Sequence, residues 1–353
     1  MEKKIRVFVF ARLKPSQINY KIIPLSRSPL VEHVYVLRKT PLDVDTENVE
    51  CIALPKILRI RLFYWMFTAI YGAWLIKKKK ANVIVSYNIF PHGFNGYIAS
   101  LITGKPLIYA EIIEDTTVFY NSWIKRILIK QILKRAKRIL VPGSVTGEFW
   151  QKKGFNKTYQ LHSTVNPEQF KPKRVEKKYD FIFIGVLDSR KRPDIIISAI
   201  AKLREKGYPV NICMIGYGDL QQSIEQQIQK LNLTEVVTLK ETNDVLESLQ
   251  ESKILVMSSL AEGIPCAMLE AMACELIVVV PPVGDIADVI MPGINGFLHD
   301  NTQEDIVKKM EEAYSKYDSL GSMREKARET VIQKHSYQFA INRWNDLLIN
   351  VKQ

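Results

Sequence analysis

Runs of apolar residues alternate with longer helical stretches along most of the chain. In the first half, apolar runs of strand length occur at residues 5–10, 33–37, 49–53, 83–86, 106–112, 139–141 and 159–162. Helical stretches lie between them, and this alternation is typical of a doubly wound parallel sheet. The pattern therefore predicts an α/β fold built from parallel strands and crossover helices.

The second half repeats the pattern, with apolar runs that begin at residues 181, 236, 254 and 276. A polar loop follows the third run, and residues 265–273 then suit a helix with Pro265 in its first turn, where a missing N–H costs nothing. A helix that starts at the carboxyl end of a parallel strand offers free N–H groups and a positive dipole end. We therefore expect a site for an anion such as diphosphate at residues 262–270.

Two glutamates flank this predicted helix start. Glu262 precedes the helix, and Glu270 lies inside it. Carboxylates repel phosphate but accept hydrogen bonds from hydroxyls, so both side chains suit the hydroxyl groups of a sugar. The alternative is structural, with Glu270 as a solvated helix residue and Glu262 as a capping charge at the helix N-terminus.

Charge is divided unequally between the two halves. The chain of 353 residues has a formal net charge of +13. Residues 1–180 hold 32 Lys and Arg against 13 Asp and Glu, whereas residues 181–353 hold 18 against 24. We therefore expect the first half to meet an anionic surface, and the length allows two domains with separate cores.

The cysteines and the start of the chain indicate a cytosolic protein. The four cysteines are scattered, without CxxC or Cys/His spacing, as is typical of reduced thiols. They are Cys51, Cys213, Cys266 and Cys274. The start, MEKKIRVFVFARL, has only a short apolar run and predicts a first strand, not a secretory signal.

Residues 62–76 form an uncharged segment that is rich in aromatic residues. Fifteen residues are short of the roughly 20 that span a bilayer. A helix that is apolar all round is either buried or in contact with lipid. A core helix, a helix that dips into a membrane face and a true span are therefore all open interpretations.

A second helix, predicted at residues 121–138, separates basic from apolar positions. Its basic stripe is Arg126, Lys130, Lys134 and Lys137, and its apolar side is Ile124, Leu128, Ile132 and Leu133. A basic amphipathic helix is typical of a membrane-surface element. The alternative is a surface helix whose lysines face water, but the charge of this half favours an anionic membrane.

The second half contains four segments in this order: FIFIGVLDSRKRPDIIISAI, MIGYGDLQQSI, SSLAEGIPCAMLEAMA and VGDIADVIMPGINGFL. They resemble the donor-binding half of retaining glycosyltransferases of the GT-B fold, the family called group one or family four. The resemblance implies an α/β GT-B fold of two Rossmann-like doubly wound domains that face a central cleft. It also implies a C-terminal helix that crosses back to the first domain. We expect these three parts at residues 1–172, 173–334 and 335–353.

The resemblance implies roles for residues around the donor diphosphate. Lys191 stands where the family has a neutralising lysine. Val186 replaces the family's arginine, and Arg190 or Arg192 could supply the missing charge, because arginine suits bidentate phosphate contact. The other predicted contacts, near the nucleotide and its phosphates, are Gly216, Gly218, Gly263, Ile264, Pro265, Cys266 and Ala267.

The sugar and acceptor contacts involve carboxylates in both halves. By the same resemblance, Glu262 would hold sugar hydroxyls and Glu270 the ribose diol. The first half resembles the family's acceptor-binding half, where a polar residue near a strand end holds the acceptor hydroxyl. The candidates there are Glu111, Glu114 and Asp115, and we select Asp115, with a turn that caps the next segment as its alternative role.

The resemblance predicts an enzyme that moves a hexosyl group from a UDP- or GDP-sugar to a hydroxyl of a lipid-linked or other envelope saccharide, with retention of configuration. We expect no metal or other cofactor, because Lys191, a nearby arginine and the helix start carry the leaving-group charge. The expected partners are donor, acceptor and an anionic membrane surface, not nucleic acid. The expected location is the cytoplasm, at the inner face of the cell membrane.

Three other functions are open on the sequence alone. One is another nucleotide-sugar enzyme of the same fold, such as an epimerase, although the segment EGIPCAMLE argues against it. A second is a nucleotide-sugar-binding protein with a decayed site, which Val186 and the glycine-free first loop ARLKPSQINYK motivate. The third is nucleic-acid binding by the basic half, for which we find no recognised motif.

Overall fold

The computed structural model describes residues 4–11, 13, 15–42, 46–59, 61–111, 119–242 and 244–352. The chain divides into two compact units. The first unit combines Met1–Ser163 with Tyr337–Gln353, and the second unit is Thr164–Ser336. Each unit contains one parallel sheet with hydrophobic clusters on both faces.

The first unit is built on seven parallel strands. These are Ile5–Phe10 (β1), Val31–Arg38 (β2), Val49–Ala53 (β3), Val83–Tyr87 (β4), Leu107–Ala110 (β5), Ala136–Val141 (β6) and Thr158–Gln160 (β7). Their order in the sheet is β3-β2-β1-β4-β5-β6-β7. All seven strands predicted from the apolar runs are confirmed, with ends that differ by up to three residues.

The second unit is built on six parallel strands. These are Tyr179–Ile184 (β8), Ile212–Ile215 (β9), Val237–Lys240 (β10), Ser252–Val256 (β11), Ile277–Val280 (β12) and Phe297–Leu298 (β13). Their order is β10-β9-β8-β11-β12-β13, so the strand order reverses between β8 and β11. The predicted α/β fold class, with two Rossmann-like doubly wound units, is confirmed.

Helices connect the strands and cover both faces of each sheet. In chain order they are Pro15–Lys21 (α1), Ile23–Ser26 (α2), Arg61–Lys78 (α3), Phe94–Thr103 (α4), Trp123–Arg135 (α5), Ser144–Lys152 (α6), Pro193–Glu205 (α7), Gln221–Lys230 (α8), Leu246–Gln250 (α9), Cys266–Ala273 (α10), Gln303–Ser315 (α11), Gly321–Lys334 (α12) and Tyr337–Lys352 (α13). The short 3-10 turns are Lys56–Arg59, Ile286–Asp288 and Tyr317–Ser319. Helices on both faces explain why the strands are nearly continuous hydrophobic runs.

The side chains of β1 show how the core of the first unit is divided. Val7 and Val9 pack in one cluster with Trp344 of α13, whereas Phe8 and Phe10 pack in another on the opposite face. This alternation follows from the two-residue period of a strand. Helices α3, α4 and α5 contribute to the second cluster and therefore cover one face of the sheet together.

The helix predicted at residues 62–76 is part of α3. Of the side chains described there, Ala69, Ala73 and Ile76 are buried, whereas Ile70 and Trp74 are exposed. The helix thus has one face on the sheet and an apolar face toward solvent. Within the described ranges, no helix has both the length and the apolar character that crossing a bilayer requires.

Candidate functional site

The candidate site lies where the strand order of the second sheet reverses. Strands β8 and β11 are neighbours there, and the loops that follow them are residues 185–192 and 257–265. In a parallel sheet both loops leave the same edge, and ligands bind at this edge beside such a switch point. Most of the predicted donor residues belong to these two loops or to the first turn of α10.

Lys191 and Glu262 meet across the two loops. Lys191 Nζ donates a hydrogen bond to Glu262 Oε1, and the two side chains are 12% and 9% exposed. Arg190 Nη1 lies 3.7 Å from the same oxygen. The carboxylate therefore lies between two cations in a nearly buried position. The structure thus brings together three residues that the sequence predicted for the donor site.

Ser258 fixes the loop that carries Lys191. Its hydroxyl lies 2.9 Å from the carbonyl oxygen of Lys191 and 2.8 Å from that of Arg192, and it can donate to one of them at a time. The hydroxyl is buried at the end of β11. Sequence reasoning missed this role, because a serine after a strand is typical of an ordinary polar loop.

Two arginines are candidates for the charge that Val186 lacks, and they have different partners. Arg190 lies beside Glu262, as given above. Arg192 directly precedes α7 and has a left-handed backbone with φ of 51°. Its Nη1 donates to the carbonyl oxygen of Asn301 over 3.4 Å. Arg190 is therefore the arginine that adjoins the Lys191–Glu262 contact.

Gly216 and Gly218 allow two loops of the second unit to approach closely. A Cβ atom on Gly216 would lie 1.8 Å from the carbonyl oxygen of Gly185. A Cβ atom on Gly218 would lie 2.5 Å from the carbonyl oxygen of Leu187. Both positions therefore exclude a side chain for reasons of backbone packing alone, whatever contact they make with a nucleotide.

The N-terminus of α10 adjoins the loop that carries Glu262. The helix begins at Cys266, and Pro265 is its N-cap residue with an extended backbone, ψ 129°. The predicted place of Pro265 in the first turn is therefore wrong by one position. The Ile264 side chain is buried in the core, so Gly263 and Ile264 offer their backbone. The N–H groups of a first turn have no partner within the helix and form its positive end.

Glu270 lies in the middle of α10 and is buried. The alternative that Glu270 is a solvated helix residue is therefore wrong. Burial raises the pKa of Cys274, one turn further along, to about 12, and the negative charge of Glu270 acts in the same direction. A buried carboxylate on this helix fits a role in binding, and contact with a ribose diol stays a prediction.

His299 fixes the loop that follows β11 through a hydrogen bond of its own and through Asn301. Its Nδ1 accepts the N–H of Asn301 over 3.0 Å, so its Nε2 carries the proton that is donated to the Met257 carbonyl oxygen over 2.8 Å. Asn301 Nδ2 also donates to the carbonyl oxygen of Ser259 over 2.9 Å. Burial lowers the pKa of His299, which keeps the ring neutral. Sequence reasoning missed His299, since a lone histidine carries no motif.

Of the three predicted acceptor residues, only Glu111 lies within the described part of the chain, where it directly follows β5 in the first unit. Asp115 and Glu114 are outside the described residues. Glu111 is buried, and its Oε2 accepts a hydrogen bond from Trp150 Nε1 over 2.7 Å. This contact gives Glu111 a structural partner in the core, and the role of Asp115 stays a prediction.

The described residues contain no metal-binding group. Across the described ranges, His, Cys, Asp and Glu side chains form no cluster of three or more that could hold a metal ion. The four cysteines are free thiols, and Cys266 is partly exposed in the first turn of α10. Cys213 is buried, and burial raises its pKa.

Comparisons with known proteins agree with this geometry. Residues 165–330 match the model of the family described as glycosyl transferases group 1. An uncharacterized glycosyltransferase from Methanocaldococcus jannaschii is 25% identical over 290 residues, covering 81% of this chain and 80% of the relative. The amylovoran biosynthesis glycosyltransferase AmsK from Erwinia amylovora is 26% identical over 284 residues, covering 70% of this chain and 67% of the relative.

The fold of the whole chain also matches a solved structure. Anabaena HepE in complex with UDP and glucose superposes with a TM-score of 0.80 at 15% identity, covering 98% of this chain and 99% of the other. Identity at this level shows the fold alone. The chain therefore has a GT-B α/β fold, and its second unit matches the model of the group 1 glycosyl transferases.

Proposed function

We propose that this protein transfers a hexosyl group from a nucleotide-diphosphate sugar to a hydroxyl of a saccharide acceptor. The observation that carries the proposal is the contact of Lys191 and Arg190 with Glu262, beside the N-terminus of α10. These groups combine cations, the positive end of a helix and a hydrogen-bond acceptor at a single sheet edge. Such a set fits a ligand that has both phosphates and hydroxyls.

The proposed roles follow from charge. As the glycosidic bond breaks, negative charge grows on the departing diphosphate, and Lys191, Arg190 and the first turn of α10 stabilise it. Glu262 accepts hydrogen bonds from sugar hydroxyls and orients the anomeric carbon, and Glu270 holds the ribose diol. The reaction needs no metal in this proposal, since the protein supplies the positive charge. Retention of configuration rests on the resemblance of the four segments alone.

The acceptor is proposed to be a lipid-linked or other envelope saccharide. AmsK, a relative, is named for the biosynthesis of amylovoran. The basic charge and the exposed apolar side chains of the first unit suit work beside an anionic membrane. We therefore place the protein in the cytoplasm, peripheral to the inner face of the cell membrane, with UDP- or GDP-sugar as its donor.

A thermal-shift panel of UDP, GDP and ADP tests the donor part of the proposal. A nucleotide at about 100 times its dissociation constant stabilises the protein by about 2.7 kcal/mol. For a unit of this size, that free energy raises the melting temperature by about 5–11 °C. We expect the effect from UDP or GDP in the wild type and a much smaller one in Lys191→Met. A panel in which no nucleotide shifts the wild type would contradict the proposal.

A further inference from the structure

Two adjoining cavities open at the amino-terminal edge of the first sheet, the edge opposite the strand ends where α/β sites lie. Their volumes are about 580 and 410 Å³, and they share Asn82 and Lys105. The charged residues that line them are Lys4, Arg6, Glu32, Lys77, Lys80, Lys105, Arg135 and Lys137. We call these residues and their two cavities the basic groove.

The basic groove has a large excess of positive charge. Seven of its charged residues are cations and one, Glu32, is a carboxylate, which is paired with Arg6 at 2.6 Å. Arg135 is held by Ser100 through its Nε at 3.0 Å. Among the described residues, the remaining five lysines form no ion pair, so their ammonium groups can meet an external anion.

The favourable interaction of cations with helix dipoles does not explain why these cations gather in the basic groove. Lysines and arginines at helix C-termini do interact favourably with the helix dipole. Only Lys77 and Arg135 occupy the last turn of a helix, α3 and α5 respectively. Lys105 lies in the loop after α4, and Lys137 lies in β6. The groove therefore gathers cations from different elements at one edge.

Exposed apolar side chains lie next to the basic groove. Trp74 is 51% exposed one turn before the end of α3, and Lys78 Nζ lies 4.8 Å from the centre of its ring. Leu101 and Ile102 are 54% and 47% exposed at the end of α4, just before Lys105. Apolar groups beside flexible cations are typical of surfaces that meet the boundary between lipid headgroups and acyl chains.

We propose that this edge of the first unit docks on an anionic bilayer, with headgroup phosphates in the basic groove and Trp74, Leu101 and Ile102 in the acyl boundary. The five unpaired lysines supply charge-assisted hydrogen bonds to phosphate oxygens. Nucleic acid would meet the same cations and could stack a base on Trp74, but Leu101 and Ile102 are aliphatic, so two of the three exposed apolar side chains suit acyl chains and not bases. This docking rests on the proposed function at a membrane, it concerns a surface separate from the donor and acceptor residues, and its test uses no nucleotide sugar.

The test is co-sedimentation of the full chain with vesicles of phosphatidylcholine alone or mixed with phosphatidylglycerol. We expect salt-sensitive binding to the anionic vesicles only. The variant Lys105→Gln/Lys137→Gln should bind about 25-fold more weakly, since each cation near the surface contributes about a fivefold factor. The matched control is Lys230→Gln/Lys308→Gln, which removes the same charge from exposed positions of the second unit and should bind like the wild type.

Several outcomes overturn the proposal. If both double variants bind the vesicles equally, the net charge of the protein and not the basic groove determines binding. Equal binding to neutral vesicles would remove the role of headgroup phosphate. Tighter binding to a duplex oligonucleotide than to vesicles, weakened by Lys105→Gln/Lys137→Gln, would assign the groove to nucleic acid. If the protein releases nucleotide from a donor but does not sediment with vesicles, docking is refuted and sugar transfer is not. If it sediments with vesicles but turns over no donor, sugar transfer is refuted and docking is not.

A second variant tests whether the exposed apolar side chains enter the bilayer. Leu101→Ser/Ile102→Ser changes two exposed side chains, so the fold should be retained. We expect this variant to keep salt-sensitive binding and to lose the binding that persists at high salt. Unchanged binding at high salt would show that these side chains stay outside the bilayer.

Discussion

Replacing Lys191 by methionine separates the structural role of the Lys191–Glu262 contact from its role in binding phosphate. In Lys191→Met, the Glu262 carboxylate remains nearly buried without its main partner. In Lys191→Met/Glu262→Gln, both charges are gone. The double variant should therefore regain stability but not affinity for a nucleotide, because of the two replaced residues Lys191 alone contacts phosphate in the proposed function.

The expected magnitude follows from the burial of the pair. Removing one partner of a buried ion pair costs about 3–5 kcal/mol, because an uncompensated charge is left behind. Arg190 remains 3.7 Å from Glu262 Oε1, and both side chains keep some contact with water. We therefore expect Lys191→Met to cost about 2–3 kcal/mol, or about 4–12 °C in melting temperature. The double variant should recover all but about 1 kcal/mol.

Nucleotide affinity, unlike stability, should be equally low in the single and the double variant. A hydrogen bond to a charged group is worth about 1.5–3 kcal/mol, so losing Lys191 should weaken binding about 10- to 150-fold in both variants. Urea denaturation measures the stability, and isothermal titration with the nucleotide that binds the wild type measures the affinity. A double variant as unstable as Lys191→Met would refute the electrostatic reasoning, and full affinity in Lys191→Met would refute the phosphate role.

Two further variants test the loops around the site. Gly284 has φ of 58°, and a Cβ atom there would lie 1.7 Å from the carbonyl oxygen of Glu262. Gly284→Ala should therefore lower the free energy of unfolding by more than the strained backbone alone would, which is about 1–3 kcal/mol. It should also weaken nucleotide binding, because the clash displaces Glu262. Its control is Gly293→Ala, which has φ of 78° but open space, and which should cost only the strain in urea denaturation. His299→Gln should lose about 1–3 kcal/mol, since it removes buried hydrogen bonds. Burial lowers the pKa of His299 in the folded protein, so the unfolded chain takes up the proton at a higher pH than the folded chain does. The neutral ring therefore stabilises the fold above about pH 6.5, and this stabilisation is lost as the pH falls further. Urea denaturation on both sides of that pH should show a smaller loss in His299→Gln than in the wild type, and equal losses would contradict the assignment.

The periodic parts of the fold could be predicted from the sequence. The seven strands of the first unit follow from apolar runs, because parallel strands covered on both faces need continuous hydrophobic segments. The proximity of Lys191 and Glu262 could be predicted because both follow strands, and parallel strands end at the same edge.

Contacts that depend on tertiary packing could not be predicted. The hydrogen bonds of Ser258 and His299 join residues from separate loops to backbone carbonyl groups, and no local pattern encodes such a contact. The buried place of Glu111 against Trp150 was likewise not apparent from a carboxylate at a strand end. Each of these side chains looks like an ordinary polar residue until the chain around it is folded.

Helix α5 shows where a periodic pattern misleads. The sequence placed Ile124 on the same side as Ile132 and Leu133, and these two are buried, but Ile124 is 62% exposed. Only the second half of α5 is therefore buried on the sheet, because Ile129, Ile132 and Leu133 are buried, whereas Trp123, Ile124 and Ile127 in the first half are exposed.

The most direct test of the central claim is nucleotide release from a panel of UDP- and GDP-sugars without acceptor. A glycosyltransferase site hydrolyses its donor slowly when water replaces the acceptor, so we expect free nucleotide from the wild type with at least one sugar. Glu262→Gln should bind that donor and release much less nucleotide. A wild type that binds the donor in titration yet releases none, with or without vesicles carrying saccharide acceptors, would contradict sugar transfer and leave a binding protein.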